Sequence, residues 1–481
     1  MGMSSRAKKI LLLAVAAALL TANGFLLPLL NRERAALGIT RIEPLENAPP
    51  MLALTTQVLG GFRGLIANAL WIRITQLQDE GKYFEMVQLA DWITKLEPHI
   101  VQVWIVQSWN MAFNISVKFS DYPDRWRWVQ RGIELLRDEA LRYNPNQPLI
   151  YADLAWLFQF KMGQNLDDAH FYYKGAWAAE MMQLFAGERP DFDKLINPQT
   201  PNERARARLL HEKYKMDPAK MRALHESYGP LDWRLPEAHA IYWSSVGMDH
   251  AKGEDVRRLR SGIYQSMHLS YQRGRLVLSS NAPPRLLPNL AIAPKVDGAY
   301  QEQIAEAAVN AAFLTNNMTR AWRNFLRDVP YQFFIYNRVR EGEQWLRYLR
   351  EKFPDAVPPG TTLAEYAVNR ATENMAGQSQ DRIRGLIEAM ITRAYYALIE
   401  DNADDFNQYM LRARELWNSY TQRTPGKERT HLPPLDDFRD IVLRRMLGPE
   451  EGLSREAKAR LRTMEPRAAQ LSPVNPAQPE K

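Results

Sequence analysis

Apolar side chains recur along this chain at helical pitch, and prolines cut each recurrence before a helix grows long. Ile133, Leu136, Ala140 and Tyr143 fall three, four and three residues apart, and Tyr151, Leu154, Phe158 and Met162 fall three, four and four apart. These spacings place each set on one side of a helix. Between them stands Asn144-Pro145-Asn146-Gln147-Pro148, a stop, because proline lacks the amide hydrogen that continues a helix and its ring clashes with the preceding turn. A short amphipathic helix cannot bury its stripe alone, so such helices pair and the pairs stack. The 30 prolines against 24 glycines extend the pattern, and the expected fold class is all-α, an α-solenoid of antiparallel helical hairpins.

The amino terminus adds a second constraint. Arg6, Lys8 and Lys9 precede an uncharged run from Ile10 to Leu30, and at about 1.5 Å rise per residue that run spans roughly the 30 Å hydrocarbon core of a bilayer. A cleaved signal peptide would need small residues at a cut near Leu20-Thr21-Ala22, but hydrophobicity resumes at Phe25-Leu26-Leu27, so a single transmembrane signal-anchor at residues 10–30 is expected. The cations before the run outnumber Arg32 and Arg34 after it, which leaves residues 1–9 cytoplasmic and, in a bacterial inner membrane, the body in the periplasm. Residues 31–50 are charged and proline-containing and read as a spacer.

A family resemblance enters between Trp71 and Met182. Gly81-Lys82-Tyr83 followed by Pro98, with Trp104 in the next helix, looks like the turn glycine, aromatic and closing proline of a tetratricopeptide repeat. Ala140 and Pro145 have the spacing of that repeat's alanine and closing proline, and Tyr151, Leu154, Ala155 and Phe158 with Ala169, Tyr173 and Ala176 form a third unit. Pro145 lies 47 residues after Pro98 (145 − 98), against the family's period of about 34, which implies an insertion of about 13 residues around Phe119 to Trp128. The chain thus resembles membrane-anchored bacterial TPR-like proteins over about a quarter of its length.

The expected organisation places TPR-like repeats at 51–186, with two short helices between Met51 and Leu77, and a charged helical extension at 187–273, whose most apolar helix contains His239-Ala240-Ile241-Tyr242-Trp243. A Pro-rich linker and domain boundary follows at 274–298, with one short strand at Arg275 to Leu278. A C-terminal helical domain at 299–467 contains helices Tyr300 to Asp328 and Tyr331 to Phe353, and a disordered tail covers 468–481. In the C-terminal part Ile383, Ile387, Met390, Ala394 and Leu398 form one stripe and Phe406, Met410, Ala413, Trp417 and Tyr420 its partner, joined across Asp401-Asn402, a turn short enough to force the helices antiparallel.

Charge and composition narrow the chemistry. The net charge of +7 is spread over interleaved signs, as in Glu203-Arg204-Ala205-Arg206-Ala207-Arg208, which reads as a solvated face and not a nucleic-acid stripe. The chain has no cysteine, so disulfides, thiolate metal sites and cysteine nucleophiles are excluded. The 8 histidines form no zinc-hydrolase pair. His170 beside Asp167 and Asp168 is read as a surface helix start and not a metal site, and no cofactor or catalytic residue is expected.

By the resemblance, Trp71, Trp109 and Trp156 fall on the inner helices of successive units, on the concave side that holds an extended peptide or partner helix. Gln78, Gln102, Asn110, Asn114 and Gln159 share that groove, their amides offering both donors and acceptors to a peptide backbone. The alternative for each tryptophan is core packing. Asp124-Arg125-Trp126-Arg127-Trp128 reads either as a contact ridge or as a helix start capped by Asp121 or Asp124. The expected function is a membrane-anchored periplasmic scaffold that binds a protein or peptide, in machinery such as secretion, pilus or polysaccharide export. The alternative is a glycan-acting or glycan-binding protein on an α/α toroid, with Asp91, Asp153 and Glu180 as candidate carboxylates. A third reading is a membrane-surface module built on Met51 to Leu77.

Overall fold

The computed structural model describes residues 63–279, 282–310, 312–373, 379–423, 432–448 and 453–466, with a few scattered helical positions between residues 14 and 33. The tail, all of the spacer but residues 32 and 33, and most of the expected anchor lie outside the described residues. No helix among the described residues is long and apolar enough to cross a membrane. The described chain is all-α apart from one β-hairpin and forms two compact units, divided between Val103 and Trp104.

The first unit holds α1 (Arg63–Asp79), α2 (Tyr83–Leu96) and the start of α3 (Val101–Trp109). Where two short helices were expected, the described part from Arg63 is one. Gly81 has φ +70°, a left-handed turn that a Cβ would strain, so the reading of Gly81-Lys82-Tyr83 as a hairpin turn holds. Ile74 and Leu77 on α1 close on Met86, Ala90 and Ile93 on α2, and Trp71 packs half-buried against that cluster.

In the second unit α3 continues through a π-helical turn at Asn110–Ile115 and a 3-10 turn at Ser116–Lys118. Next come α4 (Tyr122–Glu134), α5 (Pro148–Trp156) and α6 (His170–Phe185). Two further π segments extend α4 and α5, at Leu135–Ala140 and Leu157–Met162. These helices stack in a solenoid-like manner. Then follow α7 (Phe192–Ile196), α8 (Pro201–Glu212), α9 (Pro218–Tyr228), α10 (Pro236–Met248) and α11 (Glu254–Arg273). Proline sits in the first helical positions of α4, α5, α8, α9 and α10, where its missing amide hydrogen costs nothing. Thr200 and Glu203 close a reciprocal capping box on α8.

Every residue of α10 from Pro236 to Ser244 is buried, which makes it the central helix of this unit, packed on α5, α9 and α11. Gly247 is where α10 meets both α5 and α11. A Cβ there would stand 2.7 Å from Tyr151 Cβ and 3.0 Å from a Leu259 methyl.

The strand expected at Arg275 to Leu278 is present, but the rest of the stretch expected as a linker at 274–298 is folded into a hairpin and a helix. Strands β1 (Arg275–Ser279) and β2 (Ala282–Leu287) pair antiparallel, with Leu276 opposite Leu286, and α12 (Ala293–Asn310) has begun by Ala293. Leu276, Leu278 and Leu286 pack with Ala178 and Leu235. Arg234 donates to the Leu276 carbonyl at 2.6 Å, and Arg285 lies 3.8 Å over the Tyr396 ring. Apolar and cationic anchors on both sides thus tie the hairpin into the second unit, and the division of the chain falls at Val103 instead. That division also cuts the expected repeat block at 51–186.

The remaining helices are α13 (Ala312–Ile335), α14 (Val339–Lys352), α15 (Leu363–Thr372), α16 (Ser379–Ile399), α17 (Ala403–Arg423), α18 (Leu435–Leu447) and α19 (Arg455–Met464). The expected break before Tyr331 is absent, because α13 runs through Pro330. Val329, Tyr331, Phe333 and Phe334 are all buried around that proline, and their packing outweighs the hydrogen bond it forfeits. The pairing of α16 with α17 across Asp401 is as the stripes foretold.

Candidate functional site: a groove along α11

The groove is built on rings before polar groups. Trp109 stacks on Phe113 at 5.6 Å, Phe113 meets Trp156 at 5.1 Å, and Trp156 stacks on Phe160 at 4.8 Å and 12°. Trp109 and Trp156 close their α-helices, and Phe113 and Phe160 lie in the π segments that follow. A π turn carries one more residue than an α turn, so it re-aims the side chains beyond it, and here it brings four rings into one ladder. Trp109 remains 42% exposed.

Three cavities lie along α11, two of them against this ladder. The first, of about 430 Å³, is lined by Trp109, Asp153 and Trp156 on one side, Ser244 on α10, and Arg258, Ser261 and Gln265 on α11. The second, of about 540 Å³, shares Trp156, Gln159, Ser261 and Gln265 with the first and extends to Phe160, Gln164, Tyr264, Tyr300 and Gln303. The third, of about 350 Å³, shares Ser261, Tyr264 and Gln303 with the second and ends among Arg257, Arg258, Arg260 and Glu306. All three meet at Ser261, and the first and third also share Arg258, so they form one branched groove, aromatic around Trp109 and Trp156 and charged around Arg257, Arg260 and Glu306.

Its electrostatics follow from burial. Asp153 is pushed up to about 6 because its carboxylate loses water, with Arg258 pulling weakly the other way. Burial lowers His268 and raises Tyr300. Tyr264 is raised first by burial and then by its hydrogen bond to Glu302, donated at 2.8 Å. At the charged end Arg260 is paired with Glu306.

Of the residues expected in the groove, Trp109, Trp156 and Gln159 line it. Gln159 is only 8% exposed and donates to the Gly262 carbonyl and Ser266 Oγ, so it is wall and not an open amide. Asn110 is buried and accepts from Asn114 Nδ2 at 2.6 Å, and neither lines these cavities. Trp71, Gln78 and Gln102 belong to the first unit, where Trp71 packs against the core and the two glutamines are exposed.

Of the two readings of Asp124 to Trp128, the structure bears out the helix start. Residues 122–134 form α4, so most of the expected insertion is helix. Asp121 occupies the N-cap position without a side-chain capping bond. Trp126 turns into the core against Tyr173 at 5.8 Å and Trp177 at 6.4 Å. Arg125 turns to Asp167 and Asp168, which Lys161 joins at 2.5 Å, so the acids beside His170 are held by cations. No group of three metal-binding side chains occurs among the described residues.

Among the candidate carboxylates, Asp153 lines the groove. Glu180 accepts from Gln130, Tyr214 and Lys213 outside it, and Asp91 pairs with Lys95 at 2.7 Å in the first unit. Sequence reasoning missed the α11 wall of Arg258, Ser261, Tyr264 and Gln265. A polar stripe at helical spacing opposite Ile263, Met267 and Tyr271 was its available signal. Comparison with protein-family models, with curated proteins and with solved structures gave no match.

Proposed function

We propose that the chain is a membrane-anchored scaffold of TPR-like helical hairpins, held by residues 10–30 with its body in the periplasm, and that the groove along α11 binds an extended polypeptide segment. One observation carries this reading: three cavities share walls, and the two against the ring ladder are lined by aromatic rings together with amides and hydroxyls. Amides and hydroxyls offer donors and acceptors to a peptide backbone, and aromatic faces supply contact area at little rotamer cost. Gln265 is exposed and, among the described residues, bonded only within its own helix, to Ser261 Oγ at 3.1 Å, a contact that a ligand displaces at small cost. Asp153 has no second carboxylate beside it in its cavity, which favours binding over a two-carboxylate hydrolysis of glycan.

The test is selection of a displayed library of random 12-residue peptides on the full-length chain in detergent. A recurring sequence pattern is expected, with affinity reduced at least about fivefold by Trp156→Ala, in the range of a lost aromatic contact. No enrichment over a detergent blank, or equal binding to the Trp156→Ala chain, would count against the groove.

A further inference from the structure

Asp153 is the one acidic side chain lining the first cavity, and among the described residues its carboxylate has neither a hydrogen bond nor an ion pair. It is half-buried on α5, beside Trp156 of the same helix and Trp109 of α3, with Phe113 bridging the two indoles at 5.6 and 5.1 Å. Around it, α10 brings Ala240 and Ser244, which carry no charge, and α11 brings Arg258. Arg258 is exposed and forms no salt bridge with Asp153 among the described residues. A carboxylate taken out of water without a partner is costly, and indole faces attract cations by their quadrupole.

We infer that this end of the groove is a subsite for a basic side chain, a lysine or arginine of the bound segment that seats against the exposed Trp109 indole and pairs with Asp153. The inference rests on the groove reading and specifies its ligand. A neutral side chain would leave the desolvated carboxylate unpaired, whereas an ammonium or guanidinium supplies a charge-assisted bond. Arg258 is then a competitor, a tethered cation that weakly occupies the same field. Burial already holds Asp153 up at about 6. A cation selects the ionised form, so binding is full above that pH and weakens as pH falls through it.

The experiment takes 12-residue peptides selected on the full-length chain and replaces each basic residue in turn by norleucine. One such replacement is expected to weaken binding about tenfold to the native chain, the size of a lost charged hydrogen bond. The same replacement should cost less than about twofold in Asp153→Asn, because that variant has already lost the contact. Arg258→Gln, which leaves Asp153 in place, is expected to tighten the basic peptide about threefold, an exposed-charge effect. Peptides that bind the groove without a basic residue, or with one whose loss costs the same in Asp153→Asn, would overturn the subsite while leaving the groove. Failure to select any peptide would overturn both.

Discussion

Gln159 reaches from the π segment of α5 to α11, where its Nε2 lies 3.3 Å from the Gly262 carbonyl oxygen and 3.2 Å from Ser266 Oγ. A residue whose amide was expected to greet a ligand is instead the tie that holds the two walls of the groove together. Ser266 Oγ also donates to the Gly262 carbonyl at 2.8 Å, so the three groups satisfy one another in a buried place. Gln159→Leu removes the tie and is expected to destabilise the chain by about 1–3 kcal/mol, the cost of unsatisfied buried polar groups. Thermal unfolding followed by circular dichroism checks it, and an unchanged midpoint would mean that the walls are held elsewhere.

Gly247 sets how closely α10 approaches both walls. With Tyr151 Cβ only 2.7 Å from an added Cβ, Gly247→Ala forces helices apart and is expected to cost about 1–3 kcal/mol despite alanine's better helix propensity. Denaturant unfolding reads the difference. Gly175, where an added Cβ meets nothing within 4 Å, is the contrast: Gly175→Ala should be neutral or stabilising.

The legible and illegible parts of this molecule divide by sequence distance. The turn at Gly81, the stop between Asn144 and Pro148, and the pairing of Ile387 with the Phe406 stripe were readable, because each depends on residues within a turn or two. Trp109 and Trp156 were readable as groove residues through the resemblance. The opposite wall was not, since Gln159 meets Gly262 across 103 positions and no periodicity reports such a contact. Trp126, which local rules left between a contact ridge and a helix start, is placed in the core by Tyr173 on another helix. Pro330 misled because the local rule for proline yielded to packing by Phe333 and Phe334, and of the hairpin only β1 was readable, since β2 is held by Leu286 packing with Ala178 and Leu235.

Lys161 and Asp167 form a nearly buried pair, with side chains 3% and 7% exposed at 2.5 Å. Asp167 also accepts from Tyr173 and from the Ala169 amide, and these bonds hold it down at about 2 against the effect of burial. Asp167→Asn strands the ammonium and should cost about 3–5 kcal/mol. Adding Lys161→Met to that variant should recover part of the loss. A double variant as unstable as the sum of the singles would show that the pair is not coupled.

His239 is fully buried among Trp177, Trp233 and Phe158. Its Nε2 stands 2.9 Å from the Trp233 carbonyl oxygen, which only accepts, so the ring proton sits on Nε2 and Nδ1 has no partner. Charging the ring would bury an unbonded N–H, and burial lowers this histidine to about 4. The unfolded chain takes up the proton near pH 6.5. Stability from this site is therefore complete above about pH 6.5 and is lost as pH falls from there towards about 4. His239→Gln, which keeps a donor for Trp233, should flatten the dependence of unfolding free energy on pH across that window by up to about one proton. An unaltered slope would assign the dependence to other groups.

The account as a whole stands on an open channel beside α11 that a polypeptide enters. Gln265 lines both the first and second cavities, is exposed and, among the described residues, is bonded only to its own helix, so Gln265→Trp fills the channel without disturbing the core. Titration of the full-length native and Gln265→Trp chains with one selected 12-residue peptide is the direct measurement. The account predicts an unchanged melting temperature and a loss of affinity of at least about tenfold. Equal affinity in the two chains would place the binding surface elsewhere and contradict it.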